Sequence, residues 1–320
     1  MMSLRNRSAG WRKGAHFALI WIVALFLMTG CGTLGKAKNA TMNLFGGFGG
    51  KGDGVKQRVV LIPFENRTPW DENQSHTLFM AQLVEMLGKK CPQIILVGPG
   101  GADYPEGLSR LIPPAVRSPD NIGLAKTCRE AGFNGVITGH LTHISAEEEK
   151  RGWYGFRKTS RVARIKLDAV LYHAGTAAKL MDESFSFDVE MVPVDSGAST
   201  RKWVINDSAV SDPLADCAKT AAKTVCEKIS STPWEGAILS MEGDKALIPF
   251  GESSGLAVGD KLEAYGEGRQ VDSAGGYRYI IPGVKIGEMK ISAVFPRKAE
   301  VAAVEGGGAI RVGSVVRLKK

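Results

Sequence analysis

Val162-Ala163-Arg164-Ile165-Lys166-Leu167-Asp168-Ala169-Val170-Leu171 is the stretch on which the fold turns. Ala163, Ile165, Leu167, Ala169 and Leu171 fall on one side, with Val162, Arg164, Lys166, Asp168 and Val170 on the other. That period of two marks a strand buried on one face only. A second stretch repeats it, with Phe185, Phe187, Val189 and Met191 alternating with Ser184, Ser186, Asp188 and Glu190. The pair predicts neighbouring antiparallel strands, with Arg164 and Lys166 meeting Asp188 and Glu190 across the ladder.

Upstream the habit differs. Val59–Ile62 and Ile94–Val97 are short unbroken apolar runs, the mark of strands buried on both faces. Between them Leu78, Phe79, Leu83, Met86 and Leu87 recur at helical spacing, with Asn73 or Ser75 as N-cap and Gly88 as stop. A second helix is expected over Asn121–Ala131, ended by Gly132, and a third strand from Val136 through His140 and His143. Three residues apart on a regular strand, the two histidines face opposite ways and make no metal site. Downstream, Glu147–Arg151 with Trp153, Tyr154 and Phe156 reads as an exposed hairpin tip. Asp212-Pro213 is expected to cap and open a helix whose buried stripe is Leu214, Ala218, Ala221, Val225 and Ile229.

Pro233 sets the expected domain boundary. Beyond it, short runs (Ala237–Met241, Lys245–Phe250, Lys261–Tyr265, Lys285–Val294, Glu300–Val304, Ile310–Leu318) separated by Gly, Asp and Ser predict a small β-barrel or sandwich. Leu256-Ala-Val-Gly259-Asp-Lys-Leu262 is echoed by Ile310-Arg-Val-Gly313-Ser-Val-Val316, each glycine marking a tight turn before a strand. The fold class is therefore α+β: a mixed sheet with helices over 58–232 and an all-β part over 233–320.

The amino terminus reads as a secretory signal over residues 1–30. Arg5, Arg7, Arg12 and Lys13 precede an apolar run, Phe17–Met28, too short for a span of about 20 residues. Met28-Thr29-Gly30-Cys31 resembles a bacterial lipobox. The resemblance implies that Cys31 carries a diacylglycerol and an acyl chain and begins the mature protein. Gly32 rather than an aspartate follows it, which favours outer-membrane sorting. Residues 31–57, with Gly46, Gly47, Gly49, Gly50, Gly52 and Gly54, read as a flexible tether. Gly49-Gly50-Lys51 is no phosphate loop, since Phe45 stands where the first glycine belongs and Gly52 replaces the hydroxyl residue.

Of 41 basic residues, four lie in the first 30, which hold no acid; 37 against 33 acidic leaves +4. So small an excess gives no reason to expect nucleic acid. Hydrophobic residues at 44% supply a core. In an oxidising compartment Cys91, Cys128, Cys217 and Cys226 form an even set of disulfide candidates. Cys217 and Cys226, nine apart on one helix, stand about 13 Å apart along its axis and do not pair with each other. Cys91 and Cys128 remain as partners, or all four are buried thiols. No spacing matches a metal, cofactor or catalytic motif, so no catalytic residue is assigned and no enzyme is expected.

Two parts of the chain resemble known families. Val59-Val-Leu-Ile-Pro-Phe-Glu-Asn-Arg-Thr68 and Ala131-Gly-Phe-Asn-Gly-Val-Ile-Thr-Gly139 resemble the domain shared by the curli-secretion lipoprotein CsgG, LpoB-type activators of peptidoglycan synthases and the TolB N-terminal domain. Ser254-Gly-Leu-Ala-Val-Gly-Asp260, Val284-Lys-Ile-Gly-Glu-Met-Lys-Ile-Ser292 and Ile310-Arg-Val-Gly-Ser-Val-Val316 resemble the C-terminal domain of the flagellar assembly protein FlgT. The resemblances imply a non-enzymatic envelope lipoprotein on the periplasmic face of the outer membrane. It would bind envelope proteins in building or steadying a flagellar basal body or secretion apparatus. They leave open a homo-oligomeric ring, a CsgG-like secretion pore and an LpoB-like synthase activator.

Overall fold

A computed structural model describes residues 54–70, 74–105, 107–111, 120–151, 158–195, 201–273 and 276–319. Seven strands form the first sheet: β1 (Gln57–Leu61), β2 (Glu65–Asn66), β3 (Ile94–Val97), β4 (Gly135–Arg151), β5 (Lys158–His173), β6 (Lys179–Asp195) and β7 (Arg201–Ile205). The order is β3-β1-β4-β5-β6-β7, with β2 beside β4. β1 runs parallel to both β3 and β4, with Val59 opposite Leu96 and Gly135. From β4 onward the pairs are antiparallel. This is a mixed sheet, and β1 is buried on both faces as its apolar run requires.

Helices α1 (Ser75–Lys90) and α3 (Asp207–Ser230) cover one face. Phe79, Leu83 and Leu87 from α1, and Leu214, Ala218, Ala221, Val225 and Ile229 from α3, pack on Ile137, Leu141, Ile165 and Leu167. Helix α2 (Asn121–Glu130) covers the base of the other face, setting Leu124 and Cys128 against Val60, Val136, Val170 and Tyr172. It starts at Asp120, whose carboxylate accepts from the Gly123 N–H, and stops before Gly132 at φ +76°.

Two helix ends depart from expectation. α1 runs through Gly88 and ends at Cys91, because Pro92 excludes the helical region for the residue before it. Its N-cap is Gln74, which makes no side-chain cap; Asn73 lies outside the described residues. α3 is capped by Asn206, whose side chain accepts from the Ser208 N–H, well before Asp212. Pro213 therefore sits inside the helix, where it costs the bond that Ala209 would have accepted.

A bulge in β4 overturns the expectation that His140 and His143 face opposite ways. The register slips between Leu141 and His143, so that His140 pairs with Asp168 and His143 with Lys166. The extra residue brings both histidines to the same solvent-facing side. Arg164 stands opposite Asp188 as expected, their side chains 2.9 Å apart. Lys166 faces Ser186 and Glu190 faces Val162, so the second expected pair is not made.

The remaining strands are β8 (Glu235–Ala237), β9 (Ser240–Glu242), β10 (Lys245–Ile248), β11 (Lys261–Tyr265), β12 (Arg269–Asp272), β13 (Arg278–Ile281), β14 (Lys285–Val294), β15 (Ala299–Glu305) and β16 (Val315–Leu318). Seven of them form a sheet in the order β8-β16-β11-β14-β15-β10-β9, and β12 and β13 make a separate hairpin. The two ends of that order are successive pieces of one chain segment. Ile238 N–H bonds to the Ser314 carbonyl and Leu239 N–H to the Leu247 carbonyl, so the sheet curls back and joins itself.

The sequence echo is structural. Matching Leu256 to Ile310 and Leu262 to Val316 carries the pair Leu262↔Leu318 onto Val316↔Ala264, itself a pair, while Glu263 and Arg317 exchange places. Gly259 N–H and the Asp260 carbonyl both bond to Ile291, and Gly313 N–H and the Ser314 carbonyl both bond to Ile238. The side chains of Asp260 and Ser314 accept from the Ala257 and Arg311 N–H groups. Gly259 (φ +99°) and Gly313 (φ +88°) take the left-handed position each turn needs. Residues 256–264 and 310–318 are thus two copies of one turn-and-strand unit about a local dyad between Glu263 and Arg317.

The described residues of both sheets belong to one compact unit, and the two sheets are tied within it. Asn134 Nδ2 donates to the Glu235 carbonyl at 2.8 Å, and Ile280 N–H in the β12–β13 hairpin to the Thr176 carbonyl at 2.9 Å. Arg58 is buried, bonded to Asp103 and the Gly132 carbonyl, and Arg297 reaches the same Asp103.

Candidate functional site

The feature best placed to engage another molecule is the outer edge of β6. Its direction follows from two bonds at the base of β5. His173 N–H bonds to the Ala178 carbonyl and Ala174 N–H to the Asn134 carbonyl. Odd-numbered residues of β5 therefore turn their backbone groups toward β6 and even-numbered ones toward β4. Leu171 pairs with Met181 and Leu167 with Phe185, so the odd residues of β6 face β5 in return. Asp182, Ser184, Ser186, Asp188 and Glu190 turn their N–H and C=O groups outward. β7 pairs with β6 only over Met191–Asp195. Among the described residues, no strand pairs with the edge from Lys179 to Glu190.

The side chains along this edge divide by face. Phe185 and Phe187 are half-buried on the helix side, Phe185 lying 5.8 Å from the Phe79 ring. Asp182, Ser184, Ser186, Asp188 and Glu190 are exposed on the other face. There Arg164 bridges Asp188 and Glu147, and hydrogen bonding to Asp188 holds its guanidinium above its usual pKa.

Deeper on the same face, Ser184 Oγ donates to Asp168 Oδ1 at 2.5 Å, and His140 Nε2 lies 3.6 Å from Asp168 Oδ2. The carboxylate stands between hydroxyl and imidazole, so no base draws the proton from Ser184, and the three do not form a nucleophilic relay. Burial lowers the His140 pKa and nearby Arg67 adds to this, against the pull of Asp168 and Glu65. The ring is neutral at pH 7.

The cysteines separate into two kinds. Cys91 at the end of α1 and Cys226 on α3 form a disulfide, with Cα atoms 5.9 Å apart. Cys128 and Cys217 are free. Burial in the α2 core pushes the Cys128 thiol up to about 12, which keeps it protonated and unreactive. Met28, Thr29, Gly30 and Cys31 lie outside the described residues, as do Trp153, Tyr154 and Phe156. No described helix is long and apolar enough to cross a membrane.

Where the two sheets meet, His173 is fully enclosed. Its Nδ1 lies 2.9 Å from Thr176 Oγ1, while Nε2 has no hydrogen-bond partner among the described residues. Burial lowers its pKa, more than Glu235 nearby can restore. Glu235 itself is held by Arg317, whose guanidinium stacks on Tyr265.

The sequence missed the open edge because it shows β6's alternation but not which strand, if any, lies beyond it. β7, the described strand that covers part of that edge, is five residues long, too short to register by periodicity.

No family model matches the chain, and no curated protein does. Among solved structures, it is similar to the hypothetical protein CT253 of Chlamydia trachomatis. The identity is 9% and the TM-score 0.36, covering 56% of this chain and 100% of that one. Lipoprotein GNA1162 of Neisseria meningitidis aligns at 14% identity and TM-score 0.29, over 52% and 99% of the two chains. A putative neuraminyllactose-binding hemagglutinin homolog from Helicobacter pylori aligns at 10% and 0.29, over 54% and 84%.

Proposed function

We propose that the protein is a lipid-anchored lipoprotein of the outer membrane, facing the periplasm. It acts without catalysis as a protein-binding module in the assembly or stabilisation of an envelope machine. The observation that carries the reading is the outer edge of β6, a row of backbone donors and acceptors from Lys179 to Glu190 with which no described strand pairs. Such edges recognise extended protein segments by strand addition. The lipobox-like sequence ending at Cys31 supplies the anchor, and the FlgT-like and CsgG-like sequence stretches favour a flagellar basal body or a secretion apparatus as the machine.

A photo-crosslinker at Ser186 in living cells should capture a discrete envelope protein. The same group at Lys223, exposed on α3, should not. Recovery of no envelope protein from either site, or from the intact protein, would end the binding reading. Cys31→Ala should release the protein from the membrane fraction without unfolding it, and unchanged fractionation would end the anchoring reading.

The pore alternative fits the strands poorly. β4, β5 and β6 are long enough to cross a bilayer, which takes about 9–11 residues. Yet one face lies under α1 and α3 and the other carries Arg164, Lys166, Asp168 and Asp188, so neither presents an apolar band to lipid.

A further inference from the structure

We infer that the second sheet docks on a membrane bearing anionic phospholipid, through the lysine pair Lys261 and Lys290 and the exposed turn beside it that carries Val258. The inference rests on the anchoring reading above and adds the surface by which the anchored body meets lipid.

The register sets the pair. Lys261 and Lys290 stand opposite each other on β11 and β14. Ile291 N–H bonds to the Asp260 carbonyl, so the next pair, Lys261 with Lys290, is one without mutual hydrogen bonds, where opposed side chains come closest. Leu262 and Met289 are fully buried, which turns both lysines to the outer face, and both are exposed. Like charges so placed repel. Among the described residues neither ammonium is ion-paired: Glu263 and Glu288, two positions along, are held by Lys285, and Glu288 also by Lys319. The row continues through Ala302 to Lys245, a further exposed cation.

The fold does not ask for these cations. The local dyad carries Lys261 onto Val315 and Lys290 onto Ala237, which are themselves a pair. That copy is covered: Ala237 is buried, and Val315 lines a cleft with Gly175 of the first sheet. The same turn-and-strand unit therefore meets protein at an apolar pair and solvent at a cationic one.

The surroundings of the pair favour lipid. Val258 is 65% exposed on the turn that leads into Lys261. Phe295 is exposed on the β14–β15 turn, with Lys298 Nζ 5.5 Å from its ring centre, and its carbonyl accepts from the Glu252 N–H of the β10–β11 connection. Apolar tips among lysines suit an anionic bilayer surface, which takes the tips at the acyl boundary and the ammonium groups on phosphates. The anchor arrives here as well. Lys56 N–H bonds to the Ser254 carbonyl, so the stretch that starts at Cys31 joins the body beside this turn. Of the acids at this end, Asp260 accepts from the Ala257 N–H and Asp103 is bound to Arg58 and Arg297. Glu252 and Glu300 stand against Lys56, Lys261, Lys290 and Lys298. A second copy laid on the pair would bring lysine against lysine.

The test uses the full protein with vesicles of phosphatidylcholine, alone or mixed with phosphatidylglycerol. A water-soluble acylating reagent is applied, and labelling of each lysine is read by mass spectrometry. Phosphatidylglycerol should slow labelling of Lys261, Lys290 and Lys298 about fivefold or more, the worth of one lysine at an anionic surface. Lys223 on α3 should label as before. Salt should remove the protection, and inorganic phosphate in place of vesicles should give none. Val258→Ser removes no charge and should cut the protection by at least half. Lys261→Gln combined with Lys290→Gln should abolish it at Lys298. Both variants should keep the thermal midpoint, since the replaced side chains are exposed.

Equal labelling in the two kinds of vesicle would overturn the inference; with acyl chains found on Cys31 it would leave the anchoring reading standing. Protection by phosphatidylglycerol in a protein without acyl chains would support the inference and end the anchoring reading. Slow labelling of Lys261 and Lys290 without vesicles would overturn it, because another protein surface would then cover them. An oligoglutamate peptide that protects as fully as the vesicles, and is indifferent to Val258→Ser, would also overturn it, since the surface would then recognise acidic protein.

Discussion

Replacing Cys226 with serine should lower the stability of the protein by about 5 kcal/mol. The disulfide to Cys91 joins residues 135 apart in sequence. Closing a loop of that size removes about 17 cal/mol/K from the unfolded chain, which at room temperature is about 5 kcal/mol of stabilisation. The bond lies between the end of α1 and the last turns of α3, the two helices that together cover one face of the first sheet. Gln93 Nε2 also contacts Cys226 Sγ at 3.0 Å and Ser230 Oγ at 3.0 Å, a local bracket that survives in the serine variant and leaves the native contacts near the site intact. The loss should therefore come from the unfolded state. Urea unfolding of the oxidised protein, the Cys226→Ser variant and the reduced protein separates these terms. The variant and the reduced protein should share one midpoint, well below that of the oxidised form. A Cys217→Ser control should shift stability by less than about 1 kcal/mol. A Cys226→Ser midpoint within error of the oxidised protein would refute the reasoning.

Gly132→Ala should cost about 2–4 kcal/mol in denaturant unfolding, since φ is +76° and an added Cβ would sit 2.1 Å from the Pro249 carbonyl oxygen. Gly259→Ala and Gly313→Ala should each cost about 1–2 kcal/mol, from backbone strain alone, and their effects should add, because they occupy matching turns in open space. Stability should fall as pH drops below about 6.5, the unfolded histidine value, because the folded pKa of His173 is depressed and the unfolded state takes up the proton first. The slope is at most about 1.4 kcal/mol per pH unit for that residue, and His173→Gln should flatten the pH profile measured by thermal unfolding.

Much of the fold was legible in the residues. The alternation of 162–171 and 184–191 gave the long antiparallel strands and their facing, because one-sided burial imposes period two directly on residue choice. The stripe Leu214 to Ile229 and the paired glycines 259 and 313 were legible for the same reason, each being a local demand met by a local residue. What escaped depended on partners distant in sequence. The bulge in β4 leaves no mark in Gly139–Ile144, yet it turns His143 to the side of His140. Pro213 looked like a helix start, and the stronger cap at Asn206 overrode it. β7, β12 and β13 are four or five residues long, less than periodicity can resolve. The open edge of β6 is a fact about what lies beside the strand, and a single sequence does not carry it. Parity marks the cysteines as disulfide candidates, but which of them meet was set by the packing of α1 on α3.

The closure of the second sheet has a consequence for the order of events during biogenesis. β8 opens that sheet and β16 is the strand the chain delivers last among those described, yet the two lie side by side and no other described strand bridges β8 to β11. A chain emerging amino end first therefore holds an unfinished ring, with β8 and β11 exposed, until β16 arrives. Arg317 arrives with that strand and pins Glu235 at the contact with the first sheet. Completion of the ring and tightening of the joint between the sheets are thus a single late step, and a chain released before residue 315 would present two sticky edges and a loosened joint to the proteases around it.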